Sequence, residues 1–430
     1  MKNKSLGYSL LSLGLILSLS GCSSSIGASA VYKVEKNRQI KPEKTASERL
    51  QEITSSEVET SMGEQDMGTE GKESAKYSNA DLKLYNALAK SEGTITFSPY
   101  SLRNCIGLVY NGTNDIVKEM IDKEFGFGSK GLDYYNNYDK SLNMGNEYGV
   151  AVANKAYIRD ENELNLELLN TSNVEKIDMG DSFKASEIMN KYISDNTKEK
   201  IQNLIEPDNI TPDTSLVAIN CLYFKQKWEQ KEKDINWKSN GYITSFGDTT
   251  KDVKIAKEVG DLDVLRLKYD DCDYSMYIIC DNYESDKKNV DDYLNNLSME
   301  EYMDILDFSN YEGLKDYGEV FYNVPEFKMD CKFSLKKYMI ENGYESILGP
   351  TAFEKLGDVS VSDILQGTYI DVNKEGTEAA AATAMIMKTN SVMLDDVKTK
   401  TILVDDTFHF AIKDDKTNEI LFMGRVDDIK

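Results

Sequence analysis

A single histidine limits the chemistry that this chain of 430 residues could perform. That residue is His409, and a Ser-His-Asp or Cys-His hydrolase would need it as the base. It lies inside an apolar run near the C-terminus, which indicates a strand residue with no catalytic task. The sequence also contains no Walker loop, no GxSxG motif and no GxGxxG motif before a helix. We therefore predict that the protein is not an enzyme.

The cysteines offer no metal or disulfide chemistry. Of the six, the five that follow Cys22 are irregularly spaced, so they do not form a disulfide framework. No CxxC pair and no cluster with metal-ligand spacing is present. Two of them sit in apolar runs, where a free cysteine behaves as a small hydrophobe. We predict neither a metal site nor a cofactor. The five residues are Cys105, Cys221, Cys272, Cys280 and Cys331.

Cys22 differs from the other cysteines because it follows an export signal. Lys2 and Lys4 precede an apolar run over residues 6–19, which is short for a membrane span. The sequence Leu-Ser-Gly-Cys comes next and resembles the lipobox of bacterial lipoproteins, whose cysteine becomes the lipidated N-terminus. We predict a signal peptide over residues 1–21, lipid attachment at Cys22, and an exported protein anchored at the cell surface or extracellular. The alternative is a secretory signal with a cysteine near its cleavage site.

Composition divides the remaining chain into a tether and one folded region. Residues 22–77 are polar and poor in aromatics, so they cannot bury enough apolar surface to order themselves. We predict a flexible tether there and a domain over residues 78–430. The net charge of −24 disfavours contact with phosphate backbones, so nucleic acid is not an expected partner.

Periodicity predicts helices early in the domain and strands late, which favours an α+β fold. Pro99 stands where a helix can begin, since its missing N–H is no loss there. Helical spacing covers residues 186–204. The almost wholly apolar run 215–224 predicts a central strand covered on both faces. Residues 320–329 are strand-like around Pro325, which fits an edge or a bend.

One stretch near the C-terminus, residues 374–390, is unusually rich in small side chains and reads KEGTEAAAATAMIMKTN. Its periodicity alone favours a flexible Ala-rich loop or a short helix. Strand-like runs flank it, however, and as a strand it would alternate its side chains between two faces. One face would carry no charge: Thr377, Ala379, Ala381, Thr383, Met385, Met387 and Thr389.

Several separated motifs, in this order over residues 78–430, resemble those of the serpins, a family of protease inhibitors. They are FSPYS at 97–101, ANKA at 153–156, Asn190 with Thr197, Asn220 with FKQKW at 224–228, PEFK at 325–328, EGTEAA at 375–380, FHF at 408–410 and LFMGRV at 421–426.

The resemblance implies a fold of three sheets and about nine helices, with an exposed reactive loop near the C-terminus. It also implies a monomer whose partner is a target endopeptidase of the serine or the cysteine class. That protease would attack the loop and form an acyl-enzyme. The cleaved loop would then insert into the main sheet and distort the protease before it deacylates. The alternative is a non-inhibitory serpin that acts as a surface-binding lipoprotein.

The same resemblance assigns roles to residues of the loop. Its hinge would be Glu375, Gly376, Thr377, Glu378, Ala379, Ala380, Ala381 and Ala382. Small, uncharged side chains there let a sheet open at little steric or desolvation cost. The family's usual hinge-to-scissile spacing places the reactive bond between Asn390 and Ser391. This loop is longer than usual, so neighbouring sites stay open, and they are Met387, Lys388 and Met393.

A second set of residues corresponds to a network where the family's main sheet parts. Residues matching Ser98, Ser101 and Asn220 bond there with a strand histidine, and this chain has Gln366 in that position. A glutamine side chain donates and accepts, so it can preserve such a network. It does not titrate, so we predict that the histidine's pH response is absent.

Overall fold

The computed structural model describes residues 77–142, 148–161, 163–169, 173–238, 242–286, 290–357, 359–377 and 397–427. This part of the chain holds eight α-helices and three β-sheets, which confirms the predicted α+β fold. The helices are α1 Asn79–Glu92, α2 Pro99–Val109, α3 Asp115–Glu124, α4 Phe127–Leu142, α5 Ser182–Asn196, α6 Val290–Asn295, α7 Met299–Ile305 and α8 Lys336–Glu341.

The strands of the described residues follow in chain order. They are β1 Ile95–Phe97, β2 Gly149–Arg159, β3 Val174–Ile177, β4 Leu216–Lys227, β5 Lys233–Lys238, β6 Tyr242–Thr250, β7 Ala256–Val259, β8 Leu262–Lys268, β9 Tyr274–Asp281, β10 Glu319–Pro325, β11 Phe327–Ser334, β12 Val361–Asn373, β13 Gly376–Thr377, β14 Thr399–Leu403, β15 Phe408–Asp414 and β16 Ile420–Val426.

Three sheets organise these strands. One has six strands in the order β1-β16-β15-β9-β8-β7, and a second has four in the order β14-β10-β6-β5. The third, called the main sheet below, has the order β11-β12-β13-β4-β2-β3, and β12 also pairs directly with β4. Pro325 ends β10 in the four-stranded sheet, and β11 of the main sheet begins two residues later. The predicted bend therefore carries the chain from one sheet to another.

Strand β4 is the central strand that the apolar run predicts. Alternate residues face opposite sides of a sheet. Leu222 and Phe224 belong to the large core beneath the main sheet, where α2 lies. Ile219 and Tyr223 belong to a second core on the outer face, which α5 covers. Both faces of β4 are therefore buried.

Local capping explains where two of the helices begin and end. Ser98 precedes Pro99, and its side chain accepts a hydrogen bond from the backbone N–H of Ser101, which starts α2 as predicted. The helical prediction for residues 186–204 is wrong at both ends. Asp181 caps α5 earlier, and Lys198 and Glu199 have φ of 51° and 60° just after it stops. Positive φ is incompatible with a continuing helix.

Candidate functional site

Strands β12 and β4 lie side by side along most of their length and part at one end. They pair in parallel from Val361 opposite Leu216 to Tyr369 opposite Tyr223. Beyond that point the two residues of β13 lie between them and pair antiparallel with both. The main sheet is therefore closed over most of its length and is parted at its end by the start of the Ala-rich stretch.

Thr377 is the residue that occupies this parting. It lies opposite Val372 on one side and Gln226 on the other, and its side chain is wholly buried. Its hydroxyl is hydrogen-bonded to the hydroxyl of Tyr269, at 2.7 Å. Burial raises the pKa of Tyr269 well above its ordinary value, so the phenol stays neutral. The contact is a neutral hydrogen bond beneath the sheet.

Trp228 fixes the backbone that leads to Thr377. Its ring is stacked on Tyr269, with centroids 4.6 Å apart and planes at 15°. Its indole N–H donates to the Asn373 carbonyl at 2.8 Å, and its backbone N–H donates to the Glu375 carbonyl at 3.2 Å. The turn from β12 to β13 is thus held by backbone and side-chain bonds together.

The position of β13 between β12 and β4 requires a glycine at residue 376. Its φ is +147°, and a Cβ atom built on it would lie 2.2 Å from the carbonyl oxygen of Gln226. No side chain fits at that distance, and L residues rarely adopt that φ. The neighbouring Glu375 is exposed, so the hinge begins at the surface and enters the sheet within two residues.

Several predicted site residues lie outside the described residues. They are the hinge residues Glu378, Ala379, Ala380, Ala381 and Ala382, the reactive bond Asn390–Ser391 with its alternatives Met387, Lys388 and Met393, and the lipid attachment residue Cys22.

Gln366 joins the main sheet to the start of α2. Its Nε2 donates to the Ser98 carbonyl at 2.9 Å, and its Oε1 accepts from the Ser98 backbone N–H at 2.8 Å. The Ser98 side chain is occupied by the helix cap that it forms with Ser101. The glutamine therefore bonds to backbone, rather than to the side chains that the resemblance implies.

Asn220 and the side chain of Ser101 lie in the same region but take no part in these bonds. Asn220 is opposite Gln366 on β12 and opposite Asn154 on β2. The side-chain oxygen and nitrogen of Asn220 are buried, and neither has a hydrogen-bond partner among the described residues. The same holds for the Ser101 Oγ and the Asn154 Oδ1. An unsatisfied buried polar group costs about 1–3 kcal/mol. The structure therefore gathers the four predicted residues, bonds Ser98 to Gln366, and leaves the other two side chains unpaired.

Sequence reasoning missed Asn154 and the hinge contact of Tyr269. Asn154 lies in the ANKA motif. The available signal was an asparagine inside a strand, since a second strand asparagine, Asn220, lies opposite it. Tyr269 is distant from Thr377 in sequence, and no local pattern joins them.

His409 is a buried residue of β15 whose ring contacts two side chains of the fold. Its Nδ1 is 2.6 Å from the Tyr85 hydroxyl, and its Nε2 is 2.8 Å from Oδ1 of Asp291. Arg425 donates to both oxygens of that carboxylate. Burial lowers the pKa of His409. Both ring nitrogens of His409 are therefore engaged in contacts within the fold.

Within the described ranges, no group of three His, Cys, Asp or Glu residues could hold a metal ion.

The family comparison fits this geometry. Residues 76–429 match the family model described as Serpin (serine protease inhibitor). The chain belongs to the serpin family. The serpin is 30% identical to Iripin-3 of Ixodes ricinus over 374 residues, which cover 80% of this chain and 92% of that protein. It is 27% identical to leukocyte elastase inhibitor A of Mus musculus over 375 residues, with 80% and 96% covered.

A similar protein occurs in an archaeon. An uncharacterized serpin-like protein of Methanosarcina acetivorans is 27% identical over 370 residues, which cover 80% of this chain and 85% of that protein. Serpins are typically protease inhibitors and not enzymes, and relatives of this chain include a named elastase inhibitor.

Solved structures show the same fold. Native Tengpin, a thermophilic serpin, aligns with a TM-score of 0.67 at 19% identity, covering 85% of this chain and 96% of that one. Uncleaved ovalbumin aligns with a TM-score of 0.65 at 16% identity, covering 84% and 100%. Both confirm the serpin fold that the motifs imply.

Proposed function

We propose that this serpin inhibits serine or cysteine endopeptidases as a suicide substrate. The observation that carries the proposal is the place of Thr377, which already pairs with both β12 and β4 where they part. A loop that enters at this point becomes a full strand by extending the same ladder while the direct pairing of β12 with β4 opens ahead of it. Each added ladder bond contributes on the order of 1 kcal/mol.

The orientation of Thr377 decides which face of the inserting strand becomes buried. Its side chain points beneath the sheet to Tyr269. Side chains two, four and six residues later in a strand point the same way. The face that enters the core is therefore the one without charge, whereas Glu378 and Lys388 would face outward. Burial of that face adds stability at about 25 cal/mol per Å² of apolar surface.

Extending the pairing places Thr383 against the unpaired amide. Thr377 lies opposite Gln226 and Val372, and the ladder is antiparallel on both sides. Six residues later, Thr383 would lie between Asn220 and Gln366, on the inner face. A threonine hydroxyl can both donate and accept. Insertion would thus supply a partner for a buried polar group that has none among the described residues.

The chemical step uses the protease's own nucleophile. Its serine or cysteine attacks the carbonyl carbon of Asn390, the bond to the nitrogen of Ser391 breaks, and that amine leaves with a proton. An ester or thioester then joins the protease to the inhibitor. Cleavage frees the hinge side of the loop from β14, so the segment can insert while the acyl bond persists. Met387, Lys388 and Met393 are the alternative sites for this attack.

The proposal also covers where the protein acts, which is outside the cell. Export and lipidation at Cys22 would hold the inhibitory domain outside the cell, at the end of the tether of residues 22–77. Among the described residues, no helix has the length and apolar character of a membrane span. We propose that the protein acts as a monomer and needs no cofactor, since the stored conformational change supplies the free energy.

A panel of proteases tests this function. The chain without residues 1–22 is incubated with serine and cysteine endopeptidases and analysed on denaturing gels. An inhibitor forms a covalent complex that survives denaturation, and mass spectrometry of the released C-terminal peptide then identifies the reactive bond. If every protease tested either ignores the protein or cleaves it without forming a complex, the alternative of a non-inhibitory surface lipoprotein is supported instead.

A further inference from the structure

A cleft of about 270 Å³ lies beside the segment that links β4 to β5. We call it the lateral cleft. Its lining comes from that segment, from the segment between β6 and β7, from the end of β8, from Tyr322 of β10 and from the loop after α7. Its volume is close to the lower bound of about 300 Å³ for small-molecule sites. None of the hinge residues 375–377 lines it, so it is a separate site.

Glu232 is half-buried and is the least exposed of the three carboxyl groups that line the cleft. The Tyr322 hydroxyl donates to its carboxyl group, at 2.9 Å and 2.8 Å from the two oxygens. Burial raises the pKa of Glu232 to about 7. Within the part of the chain that the structure describes, Glu232 forms no ion pair. A carboxyl group in this position gains from a positive partner, which restores its charged form.

The positive groups around the cleft do not supply that partner. Arg266 is committed elsewhere: it forms an ion pair with Asp415, and its Nε donates to Ser275 Oγ at 3.3 Å. Lys254 and Lys268 are exposed at the rim, where water screens them. The floor of the cleft therefore favours a cation over an anion, and the net charge of −24 favours the approach of one.

Aromatic side chains form the wall beside the carboxyl group. Phe308 is buried and packs on Tyr277, with ring centroids 5.7 Å apart. Tyr311 is half-buried and meets Phe308 edge to face at 5.6 Å. Flat apolar groups pack well on such a wall. Lys257 and Arg266 already lie 5.8 Å and 6.0 Å from the centroid of the Phe308 ring, so this ring offers packing area rather than a new cation–π contact.

We propose that the lateral cleft binds a small organic cation, an amidinium or guanidinium group carried on a flat apolar body. The cation would pair with Glu232, and the body would lie against Phe308 and Tyr311. Planar groups of this kind can donate two parallel hydrogen bonds to one carboxylate.

Ligand-observed NMR titration tests the proposal without reference to protease inhibition. The probe is benzamidine, and benzamide is the matched neutral control of the same shape. We expect benzamidine to bind about tenfold more tightly than benzamide, because only the amidinium forms a charge-assisted pair. Benzoate serves as the anionic control. Failure of benzamidine to bind, or tighter binding of benzoate, would overturn the proposal.

A pair of variants assigns the binding to Glu232. Glu232→Gln keeps the shape of the side chain and an acceptor for Tyr322, and we expect it to weaken benzamidine binding about tenfold. Asp208→Asn removes an exposed carboxylate elsewhere and should change the affinity less than about twofold. Equal losses in both variants would overturn the assignment. If Glu232→Gln does not fold, Tyr311→Leu replaces it, and unchanged affinity in that variant would count against the aromatic wall.

Discussion

The hydroxyl groups of Thr377 and Tyr269 lie 2.7 Å apart, in a contact buried beneath the end of the main sheet where β12 and β4 separate. The two residues are 108 positions apart in the chain. Their contact fixes the face that the hinge presents to the core. It also gives the loop a defined starting register, so each residue that follows has one expected pair of neighbours.

A charge at Thr377 should convert the protein from inhibitor to substrate. Thr377→Arg would place a guanidinium in a fully buried site, which is strongly unfavourable without a partner. We expect cleavage of the loop without a denaturation-resistant complex. Thr351→Arg makes the same substitution at an exposed position and should still form the complex. Equal complex formation by Thr377→Arg and the parent protein would exclude insertion through this hinge.

Cleavage of the loop should stabilise the parent protein. A new strand of about a dozen residues adds on the order of 10 kcal/mol through ladder bonds and apolar burial. For a domain of this size that corresponds to a rise in melting temperature of about 10–15 °C. Calorimetry of intact and cleaved protein measures it. Cleaved Thr377→Arg is the control and should show little rise, whereas an unchanged parent curve would contradict the metastable state.

Thr383 should contribute to the stability of the cleaved form alone. Thr383→Val keeps the shape of the side chain but removes the hydroxyl that would face Asn220, so the cleaved protein should lose about 1–3 kcal/mol. Melting curves before and after cleavage separate the two states. The intact variant should match the parent, and Thr383→Ser should recover most of the loss. An equal loss in the intact protein would show that Thr383 acts elsewhere.

Stability should fall in mildly acidic solution because of His409. Burial lowers its pKa in the folded state, whereas the unfolded chain has the ordinary value of 6.5. The contribution of neutral His409 is therefore fully present above pH 6.5 and is lost as the pH falls from there through the folded-state pKa. Urea melts from about pH 5 to 8 on the parent and on His409→Gln measure it.

The comparison of the two proteins isolates that effect. Arg425 and His409 hold the pKa of Asp291 well below its usual range, so loss of that carboxylate's contribution occurs at much lower pH. Other buried groups titrate equally in both proteins and cancel in the difference. If parent and His409→Gln have the same pH dependence between about pH 5 and 7, the buried histidine is not the titrating group.

Local sequence signals predicted the elements well. The apolar run of β4 predicts a doubly covered strand, Pro99 marks the start of α2, and Pro325 marks a bend, because each depends on nearby residues. The end of α5 escaped prediction because it is set by positive φ at Lys198 and Glu199, which helical spacing does not reveal.

The sequence predicted which residues gather where β12 and β4 lie over α2, but it did not predict their hydrogen bonds. Ser98, Asn220 and Gln366 do lie together, yet their bonding depends on which groups the backbone presents there. Gln366 bonds to the main chain of Ser98, so the Asn220 amide has no partner in the part of the chain that the structure describes. Such pairings follow from the three-dimensional placement of α2 against the main sheet, and no spacing in the sequence encodes them.

The stacked ring of Trp228 makes the hinge optically observable. Only two tryptophans are present, Trp228 and Trp237, and the first donates its indole N–H to the carbonyl that precedes the hinge turn. With Trp237 replaced by phenylalanine, fluorescence from the remaining indole would follow departure or deeper entry of the loop in real time. The protein thus carries its own spectroscopic probe at the point where the proposed insertion would begin.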